Sequence, residues 1–261
     1  FGACATGGDV LSFFMKANGI DFGETIGILA QRLGITLPSS HANQTETNLH
    51  SLIVDAANYF ITTLESADGN MARVYIKNRG INSESLEMFQ LGLSPSNWRG
   101  LTEHLVKIGH SEEDIISAGL SVRNDTGDIR DLFHNRLMFP ISDSSGHIVG
   151  FGGRTLNDST PKYLNTPRTA LFDKSSLLYG LSLAKESIRN HDSVVVVEGY
   201  MDVISAHQNG YQNVVASMGT ALTEQQVAAL KNQASTFVLA LDPDNAGKEA
   251  TLRSLESSWK A

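Results

Sequence analysis

The stretch Val194-Val195-Val196-Val197-Glu198-Gly199-Tyr200-Met201-Asp202 decides the expected fold of this 261-residue chain. Four consecutive β-branched residues without polar alternation predict a strand covered on both faces, which is typical of a parallel sheet with helices above and below it. Glu198 follows that strand directly. Asp202 lies one helical turn further on, where it is either a metal ligand or an acid favoured by the helix dipole.

A second apolar run, residues 237–241, leads to Asp242-Pro243-Asp244. Ligands of parallel sheets gather at the carboxyl ends of strands, and neighbouring strands lie about 4.8 Å apart, so Glu198 and Asp242 are expected to meet there. A spacing of two places the Asp242 and Asp244 side chains on one side of an extended segment. Crowded carboxylates need a cation between them, and Mg²⁺ or Mn²⁺ prefers such hard oxygen ligands. We therefore predict a divalent metal site formed by Glu198, Asp242 and Asp244, with Asp202 as a further candidate ligand.

Helical patterns dominate the first part of the chain. Asp9 is expected to cap a helix that ends near Gly19, and a second helix is predicted over residues 24–33. Apolar residues recur at helical spacing over residues 49–64, which predicts a helix that faces the core. Residues 38–46 are polar and lack periodicity, so we interpret them as a linker.

Turn and capping signals predict several elements further along the chain. Ser111 and the acidic residues after it indicate a helix N-terminus, and Thr223 with Gln226 matches a capping box. Short helices with loops are expected over residues 69–135. The other predicted elements are strands at 137–142, 147–152 and 213–216, a hairpin turn at 143–146, and a helix at 225–232.

The two acidic segments, residues 198–202 and 242–247, resemble the signatures of the TOPRIM fold. Further strings narrow the resemblance to the catalytic core of the bacterial replicative DNA primase, the DnaG family, and it covers essentially the whole chain. Pro243 stands where the family usually has glycine, a change that leaves both neighbouring carboxylates in place. The strings are Tyr-Ile-Lys-Asn-Arg-Gly at 75–80, Arg-Leu-Met-Phe-Pro-Ile at 136–141, Gly-Phe-Gly-Gly-Arg at 150–154, Pro-Lys-Tyr-Leu-Asn at 161–165, Leu-Tyr-Gly at 178–180 and Met-Gly-Thr-Ala-Leu-Thr at 218–223.

The resemblance implies an α/β fold in which a mixed α+β basic subdomain precedes a Rossmann-like TOPRIM domain with a parallel sheet and flanking helices. Residues 1–37 would be the remnant of a zinc-ribbon domain and its trailing helices, residues 38–46 a linker, residues 47–190 the template- and nucleotide-binding subdomain, and residues 191–261 a TOPRIM domain truncated at its C-terminus. Cys4 resembles the last ligand of the zinc ribbon. A structural zinc site needs four ligands, so Zn²⁺ is expected only in the full-length protein and Cys4 is a partial site here.

The resemblance also implies an activity and its partners. A primase synthesises short RNA primers on a single-stranded DNA template from ribonucleoside triphosphates, using two or more Mg²⁺ or Mn²⁺ ions. The replicative helicase would bind through a region absent from this chain. The family carries a further acidic pair beyond Ala261, which puts the activity of this fragment alone in doubt.

Basic residues upstream of the acids are candidates for binding nucleic acid and nucleotide. Arg154 follows Gly150, Gly152 and Gly153, whose bare backbone would let phosphate approach while the guanidinium binds its oxygens in pairs. Asn165 is expected either to bind a nucleotide or to occupy a turn. Gly219 and Thr220 match the family pattern and are expected to face the metal. The cations expected to extend the positive path are Arg79, Arg136, Lys162 and Lys174.

Composition bounds these expectations. The formal net charge of −8 argues against tight non-specific binding to duplex DNA, although residues 130–189 hold eight Lys and Arg against five Asp and Glu. A single cysteine excludes an internal disulfide framework and favours the cytoplasm. No apolar run reaches the roughly 18 residues that a membrane-spanning helix needs.

Three alternatives of other kinds remain open from the residues. A TOPRIM nuclease would use the same acids to cut DNA. A type IA topoisomerase would need a nucleophilic tyrosine, and none of the six tyrosines has a suitable context. The third alternative is a catalytically incomplete fragment that binds single-stranded DNA or nucleotide without turnover.

Overall fold

The computed structural model describes residues 9–33, 41–157, 160–218 and 221–242. Backbone contacts divide the chain into two compact units, Phe1–Thr45 and Glu46–Ala261. No helix in the described ranges is both long enough and apolar enough to span a bilayer.

The first unit contains the helices α1 (Val10–Asn18) and α2 (Phe22–Leu33). Asp9 caps α1 by accepting a hydrogen bond of 2.8 Å from the N–H of Ser12, and Gly19 ends it in the left-handed conformation at φ 65°, which glycine adopts without strain. Both ends of α1 are therefore confirmed. Helix α2 starts two residues before the predicted position.

The second unit begins within α3 (His41–Glu65). Residues 41–46 are helical, although residues 38–46 show no periodicity in the sequence, and their role as a linker stays a prediction. The physical reason is that a helix nucleated by its buried apolar stripe extends at little cost into a polar sequence that has no apolar periodicity of its own. Leu52, Ile53 and Phe60 form part of that stripe and are almost fully buried.

Helices and short strands alternate through residues 70–165. Only helices and loops were predicted before residue 135, but three short strands also occur there, each with too few residues for a periodicity to show. The elements are α4 (Asn70–Asn78), α5 (Ser83–Met88), β1 (Gly92–Ser94), α6 (Gly100–Lys107), α7 (Glu112–Ser117), β2 (Ser121–Arg123), β3 (Ile129–Asp131), β4 (Arg136–Ser142), β5 (Ile148–Thr155) and β6 (Tyr163–Asn165).

An antiparallel sheet with strand order β1-β4-β5-β6 forms the centre of this region. The predicted hairpin between β4 and β5 is confirmed, with Asp143 N donating to His147 O at 2.9 Å. The predicted helix start at Ser111 is also confirmed, because its hydroxyl accepts a hydrogen bond from Asp114 N at 3.1 Å. Strands β2 and β3 pair separately.

The remaining described residues form a parallel sheet with helices on both faces. Strand order is β8-β7-β9, and β7 pairs in parallel with both neighbours. Thr223 and Gln226 form the predicted capping box at the start of the helix Glu224–Lys231. The elements are α8 (Leu181–His191), β7 (Ser193–Val197), α9 (Tyr200–Gln208), β8 (Val214–Ala216), α10 (Glu224–Lys231) and β9 (Thr236–Leu239).

The four valines of β7 are covered on both faces, as predicted. Val194 and Val196 are fully buried with apolar residues of α8 and α10, whereas Val195 and Val197 pack, partly buried, against the core that contains α9. Burial of one valine-sized side chain stabilises a fold by roughly 1.5–3 kcal/mol. The parallel sheet is thus held in place by helices above and below it.

Strand β4 links the two halves of the second unit. Met138 packs with α3 on one face of the antiparallel sheet, and Phe139 packs on the other face, where its ring stacks on Tyr200 with centroids 4.9 Å apart. Alternate residues of a strand point to opposite faces. The N-terminus of α9, which begins at Tyr200, is therefore fixed against the antiparallel sheet.

Candidate active site

The carboxyl ends of β7 and β9 bring two of the predicted acids together. Glu198 follows β7, and its Oε1 accepts a hydrogen bond of 3.0 Å from the backbone N–H of Asp242. Strand pairing extends beyond β9, because Ala240 N donates to Val196 O at 2.9 Å, and this pairing guides the chain to Asp242. The two carboxylates therefore lie at the sheet edge where ligands of parallel sheets bind.

Asp202 lies in the first turn of α9. Its Oδ2 accepts a hydrogen bond of 3.1 Å from the N–H of Gly199, so it caps the helix, which was the alternative to metal ligation. Loss of hydration raises the pKa of the Asp202 carboxyl, and the charge of Asp242 raises this pKa further. The carboxylates of Asp202 and Asp242 are thus close enough to interact. We call Glu198, Asp202 and Asp242 the acidic wall.

A cavity of about 400 Å³ lies between the acidic wall and a set of basic and aromatic side chains. It brings together residues that are up to 163 positions apart in the sequence (79 to 242). We call Arg79, Arg154 and Lys162 the cationic wall. The full lining in the described residues is Arg79, Arg154, Lys162, Tyr163, Asn165, Glu198, Gly199, Tyr200, Met201, Asp202, Met218 and Asp242.

Arg154 is the most buried member of the cationic wall, with 9% of the residue exposed. Its guanidinium carbon lies 4.8 Å from the centre of the Tyr75 ring and 5.6 Å from that of Tyr163. Its Nε is buried without a hydrogen-bond partner, and no ion pair within the described ranges involves it. A buried cation without an acidic partner is unfavourable unless an anion binds it.

Arg79 ends α4 and is held near the acidic wall by a contact to α9. The side-chain amide of Gln208 accepts a hydrogen bond from Asn82 N and donates one to Gly80 O, both at 2.8 Å. The turn after Arg79 is thereby tied to the helix that begins at the acidic wall. Arg79 and Lys162 are both exposed where they line the cavity.

Asn165 lies within β6, so the alternative turn role does not apply. Its Oδ1 accepts a hydrogen bond of 2.5 Å from the hydroxyl of Tyr200. Burial raises the pKa of the Tyr200 hydroxyl, which keeps it a donor. Asn165 thus fixes Tyr200 in the cavity lining, and its direct contact with a nucleotide stays a prediction.

Two of the predicted cations, Arg136 and Lys174, are not among the described residues that line the cavity. Arg136 is 7% exposed, and its Nη1 donates to Gly153 O at 3.2 Å and to Pro161 O at 3.0 Å. It supports the backbone next to Arg154 and Lys162, and its predicted role in phosphate binding stays a prediction. Burial lowers the pKa of the half-buried Lys174 ammonium, whose predicted role stays untested.

The glycines before Arg154 make room for protein side chains, which corrects their predicted role. A Cβ at Gly152 would lie 2.5 Å from Cζ of Tyr200, and a Cβ at Gly150 would lie 2.5 Å from the ring of Phe172. One at Gly153 would meet an aromatic ring at 2.8 Å. The space beside these glycines, which was expected to admit phosphate, is therefore filled by aromatic side chains of the protein.

Four residues of the predicted sites lie outside the described ranges, namely Cys4, Gly219, Thr220 and Asp244. Within those ranges, no group of three or more His, Cys, Asp or Glu side chains is arranged to hold one metal ion. The described members of the acidic wall supply carboxylate oxygens, which are the ligands that Mg²⁺ and Mn²⁺ prefer. The donor chemistry therefore fits the predicted ion.

Aromatic residues of the site were missed by the sequence analysis. Tyr75 stacks on the guanidinium groups of Arg79 and Arg154, and Tyr163 stacks on that of Arg154. The signal available in the sequence was the position of the two tyrosines in strings that also contain Arg79 and Lys162.

Outside the cavity, Trp98 is 52% exposed and stacks on His134 with ring centroids 3.9 Å apart, while the guanidinium of Arg130 lies 5.7 Å from the Trp98 ring centre. The only signal in the sequence there was a tryptophan directly before Arg99.

Comparison with known proteins agrees with this architecture. Residues 59–185 match the family described as DNA primase catalytic core, N-terminal domain, and residues 192–260 match the Toprim domain. The DNA primase of Clostridium acetobutylicum is 41% identical over 261 residues, covering 97% of this chain and 43% of the relative. The chain spans less than half the length of the curated DNA primases it matches.

Solved structures of primase cores share the fold. The DnaG primase catalytic domain bound to single-stranded DNA superposes with a TM-score of 0.76 at 35% identity, covering 82% of this chain and 69% of that one. The zinc-binding and RNA polymerase domains of the Aquifex aeolicus primase superpose with a TM-score of 0.74 at 31% identity, covering 98% of this chain and 62% of that one. This chain therefore belongs to the DnaG family of DNA primases, of which it carries the N-terminal domain of the catalytic core followed by a Toprim domain.

Proposed function

We propose that this chain is the catalytic core of a primase that joins ribonucleoside triphosphates into a short RNA primer on a single-stranded DNA template. One observation carries the proposal: the acidic wall and the unpaired guanidinium of Arg154 border the same cavity. A cavity lined only by carboxylates would bind a metal ion, and one lined only by cationic side chains would bind a phosphate group. Nucleotidyl transfer requires both beside the same phosphorus atom.

The cationic wall binds the phosphates of the incoming nucleotide. Arg79 and Arg154 present guanidinium groups, which bind phosphate oxygens in pairs, and Lys162 adds a mobile point charge at the edge. Their charge neutralises the triphosphate and orients its α-phosphate toward the 3′-hydroxyl of the growing primer. Attack by that hydroxyl forms the new phosphodiester bond and releases pyrophosphate.

The acidic wall supplies the ligands for divalent metal. Glu198 and Asp242, together with Asp244 and with Asp202 as a further candidate, would hold Mg²⁺ or Mn²⁺, which when bound supplies positive charge next to the reacting oxygens. Glu198 is already oriented, because one of its oxygens accepts the N–H of Asp242. The family resemblance favours two or more Mg²⁺ or Mn²⁺ ions at the acidic wall. Zn²⁺ binding that involves Cys4 is predicted for the full-length protein only.

The exposed ring of Trp98 supplies a second contact for the template. Bases of single-stranded DNA stack on aromatic side chains with about 1–3 kcal/mol per base, independently of sequence. Arg130 lies over the same ring and would bind a backbone phosphate. This arrangement suits a template that must pass through the enzyme, because the binding is weak at each position.

Primer synthesis by the full-length protein on a single-stranded template, in Mg²⁺ and in Mn²⁺, tests the proposal. We expect Glu198→Ala, Asp242→Ala and Arg154→Ala to lower the rate by at least about a hundredfold, since each removes a charge next to the reacting phosphate. Lys107→Ala is the control, because it removes an exposed charge on α6, which does not line the cavity in the described residues.

The proposal fails if the acid variants make RNA as fast as the parent, or if the parent neither makes RNA nor binds ribonucleoside triphosphate. Metal-dependent cutting of DNA without added nucleotide would instead identify a nuclease. Fluorescence anisotropy of a labelled oligodeoxynucleotide separates the template contact from the chemistry. In that measurement, Trp98→Ala should weaken binding about tenfold while triphosphate binding stays unchanged.

A further inference from the structure

We infer that Tyr75 is a positioning residue, which holds the guanidinium groups of Arg79 and Arg154 in the geometry that binds phosphate. The inference rests on the proposed function, because it concerns how the cationic wall takes up its ligand. Tyr75 lies on α4 and is not among the described residues that line the cavity. It would therefore act through the two arginines.

The Tyr75 ring contacts both arginines. The guanidinium carbon of Arg79 lies 5.3 Å from its centre, and that of Arg154 lies 4.8 Å from it. Tyr163 completes the stack, with its ring centre 5.6 Å from the guanidinium carbon of Arg154. The guanidinium groups of Arg79 and Arg154 thus both pack against one aromatic ring, and both arginines line the cavity.

These arginines differ from others in the described part of the chain. Arg99, Arg123 and Arg168 form ion pairs with acids, whereas no ion pair or hydrogen bond of the guanidinium groups of Arg79 and Arg154 occurs among the described residues. Two cations near each other repel, and the negative face of an aromatic ring offsets part of that repulsion. The ring thereby keeps both N–H edges available for an anion.

The ring of Tyr75, and not its hydroxyl, makes these contacts. The Tyr75 hydroxyl oxygen is buried and has no hydrogen-bond partner. A buried polar group without a partner costs free energy, so it adds nothing to the positioning. Phenylalanine should therefore replace Tyr75 without loss, which separates this role from one that needs the hydroxyl.

Two such guanidinium groups recognise the oxygen atoms of a phosphate group. It has two sources in the proposed reaction, namely the triphosphate of the nucleotide and the backbone of nucleic acid. Inorganic triphosphate and ATP test the first source, and a single-stranded oligodeoxynucleotide tests the second. A weaker affinity for either one would show that the ring acts on phosphate binding.

The decisive experiment varies the electron density of the ring at constant size. Tyr75 is replaced by phenylalanine, by phenylalanines with one, two and three ring fluorines, and by leucine, and affinities for the three probes are measured by calorimetry. We expect the phenylalanine variant to bind within about twofold of the parent. Successive fluorines should weaken binding in steps, to roughly three- to tenfold for the trifluorinated ring and for leucine.

The same series at Tyr179 is the control. Tyr179 is 2% exposed and its hydroxyl also lacks a partner, but no guanidinium lies over its ring among the described residues. Substitutions there should change thermal stability and leave all three affinities unchanged.

A flat fluorine series at Tyr75, or equal weakening at both positions, would overturn the inference about Tyr75 while leaving the proposed function intact. A parent chain that binds none of the probes would overturn the proposed function itself.

Discussion

Glu198 and Asp242, on the acidic wall, are set in place by main-chain structure, whereas Arg79 and Arg154, on the cationic wall, are set in place by aromatic side chains. Adjacent parallel strands bring Glu198 beside Asp242, and a backbone N–H fixes the Glu198 carboxylate. The arginines instead depend on the ring of Tyr75. Acids at strand ends are therefore built into the topology of the sheet, while the cations depend on packing between distant segments.

The largest expected effect comes from removing charge on the acidic wall while keeping its geometry. Glu198→Gln retains an oxygen that accepts the Asp242 N–H, yet it loses the negative charge that a divalent metal needs. We expect RNA synthesis to fall at least about a hundredfold, with the free energy of unfolding within about 0.5 kcal/mol of the parent. Initial rates and urea denaturation measure the two quantities.

Glu224→Gln, an exposed first-turn acid of α10, is the matched control and should leave the rate unchanged. A Glu198→Gln variant as active as the parent would show that position, and not charge, is what the acidic wall provides.

The next largest effects are expected from variants of two buried arginines, Arg136 and Arg154, which separate structural support from phosphate binding. Arg136→Met removes the donor from Gly153 O and Pro161 O, and we expect it to lower the free energy of unfolding by about 2–4 kcal/mol. Arg154→Met breaks no described hydrogen bond, so stability should change by less than about 1 kcal/mol while triphosphate binding falls tenfold or more. Chemical denaturation and calorimetry on the same preparations measure both.

Equal destabilisation by the two methionine variants would contradict the assignment of Arg136 to support and of Arg154 to binding. Arg154→Lys is a useful companion, since it keeps the charge but loses the planar fork and the stacking, and binding should remain impaired.

A smaller effect is expected where the glycines of β5 meet the core. The Cβ of Gly152→Ala would lie 2.5 Å from both Cζ and the hydroxyl of Tyr200, so we expect the variant to lose about 1–3 kcal/mol of stability. Adding Tyr200→Phe removes one of the three clashing atoms and should recover part of the loss. Thermal unfolding of the single and double variants measures this, and a fully stable Gly152→Ala would restore the idea that this strand leaves space for a ligand.

The smallest effect concerns the support behind the acidic wall. His207 on α9 is buried and hydrogen-bonded to Val214 O at 2.8 Å, and burial lowers its pKa below the ordinary 6.5 although the hydrogen bond to Val214 opposes the shift. A histidine with a lowered folded-state pKa contributes stability that is present above pH 6.5 and is lost as the pH falls from 6.5 through the folded-state pKa.

His207→Gln should therefore flatten the pH dependence of the free energy of unfolding between pH 7 and pH 5, which denaturation at several pH values would detect. An unchanged slope in this window would mean that His207 does not titrate differently in the folded state.

Much of the fold followed from local signals. The four valines before Glu198 predicted the parallel sheet, and Asp9, Ser111 and Thr223 marked helix starts, because capping depends on residues within one turn. The signals failed where tertiary packing decided the outcome. Residues 41–46 look like a linker by composition but continue a helix that the core stabilises.

The placement of the cations depended on information that lies outside any local window. Arg136 and Arg154 were both predicted to bind phosphate, yet one donates hydrogen bonds to backbone carbonyls and the other stacks between two tyrosines. The glycines before Arg154 suggested a phosphate loop, and their actual neighbour at Gly152 is Tyr200, which belongs to a helix 48 positions later (152 to 200).

The sequence by itself determined that two apolar strands end in carboxylates, and that these strands lie in one parallel sheet, because side-chain burial and strand direction are encoded over a few residues. Only the tertiary structure decided which basic residues face those carboxylates. The physical reason is that stacking of Arg79, Tyr75, Arg154 and Tyr163 requires α4, β5 and β6 to pack together, and contacts between segments so far apart are set by the assembled core.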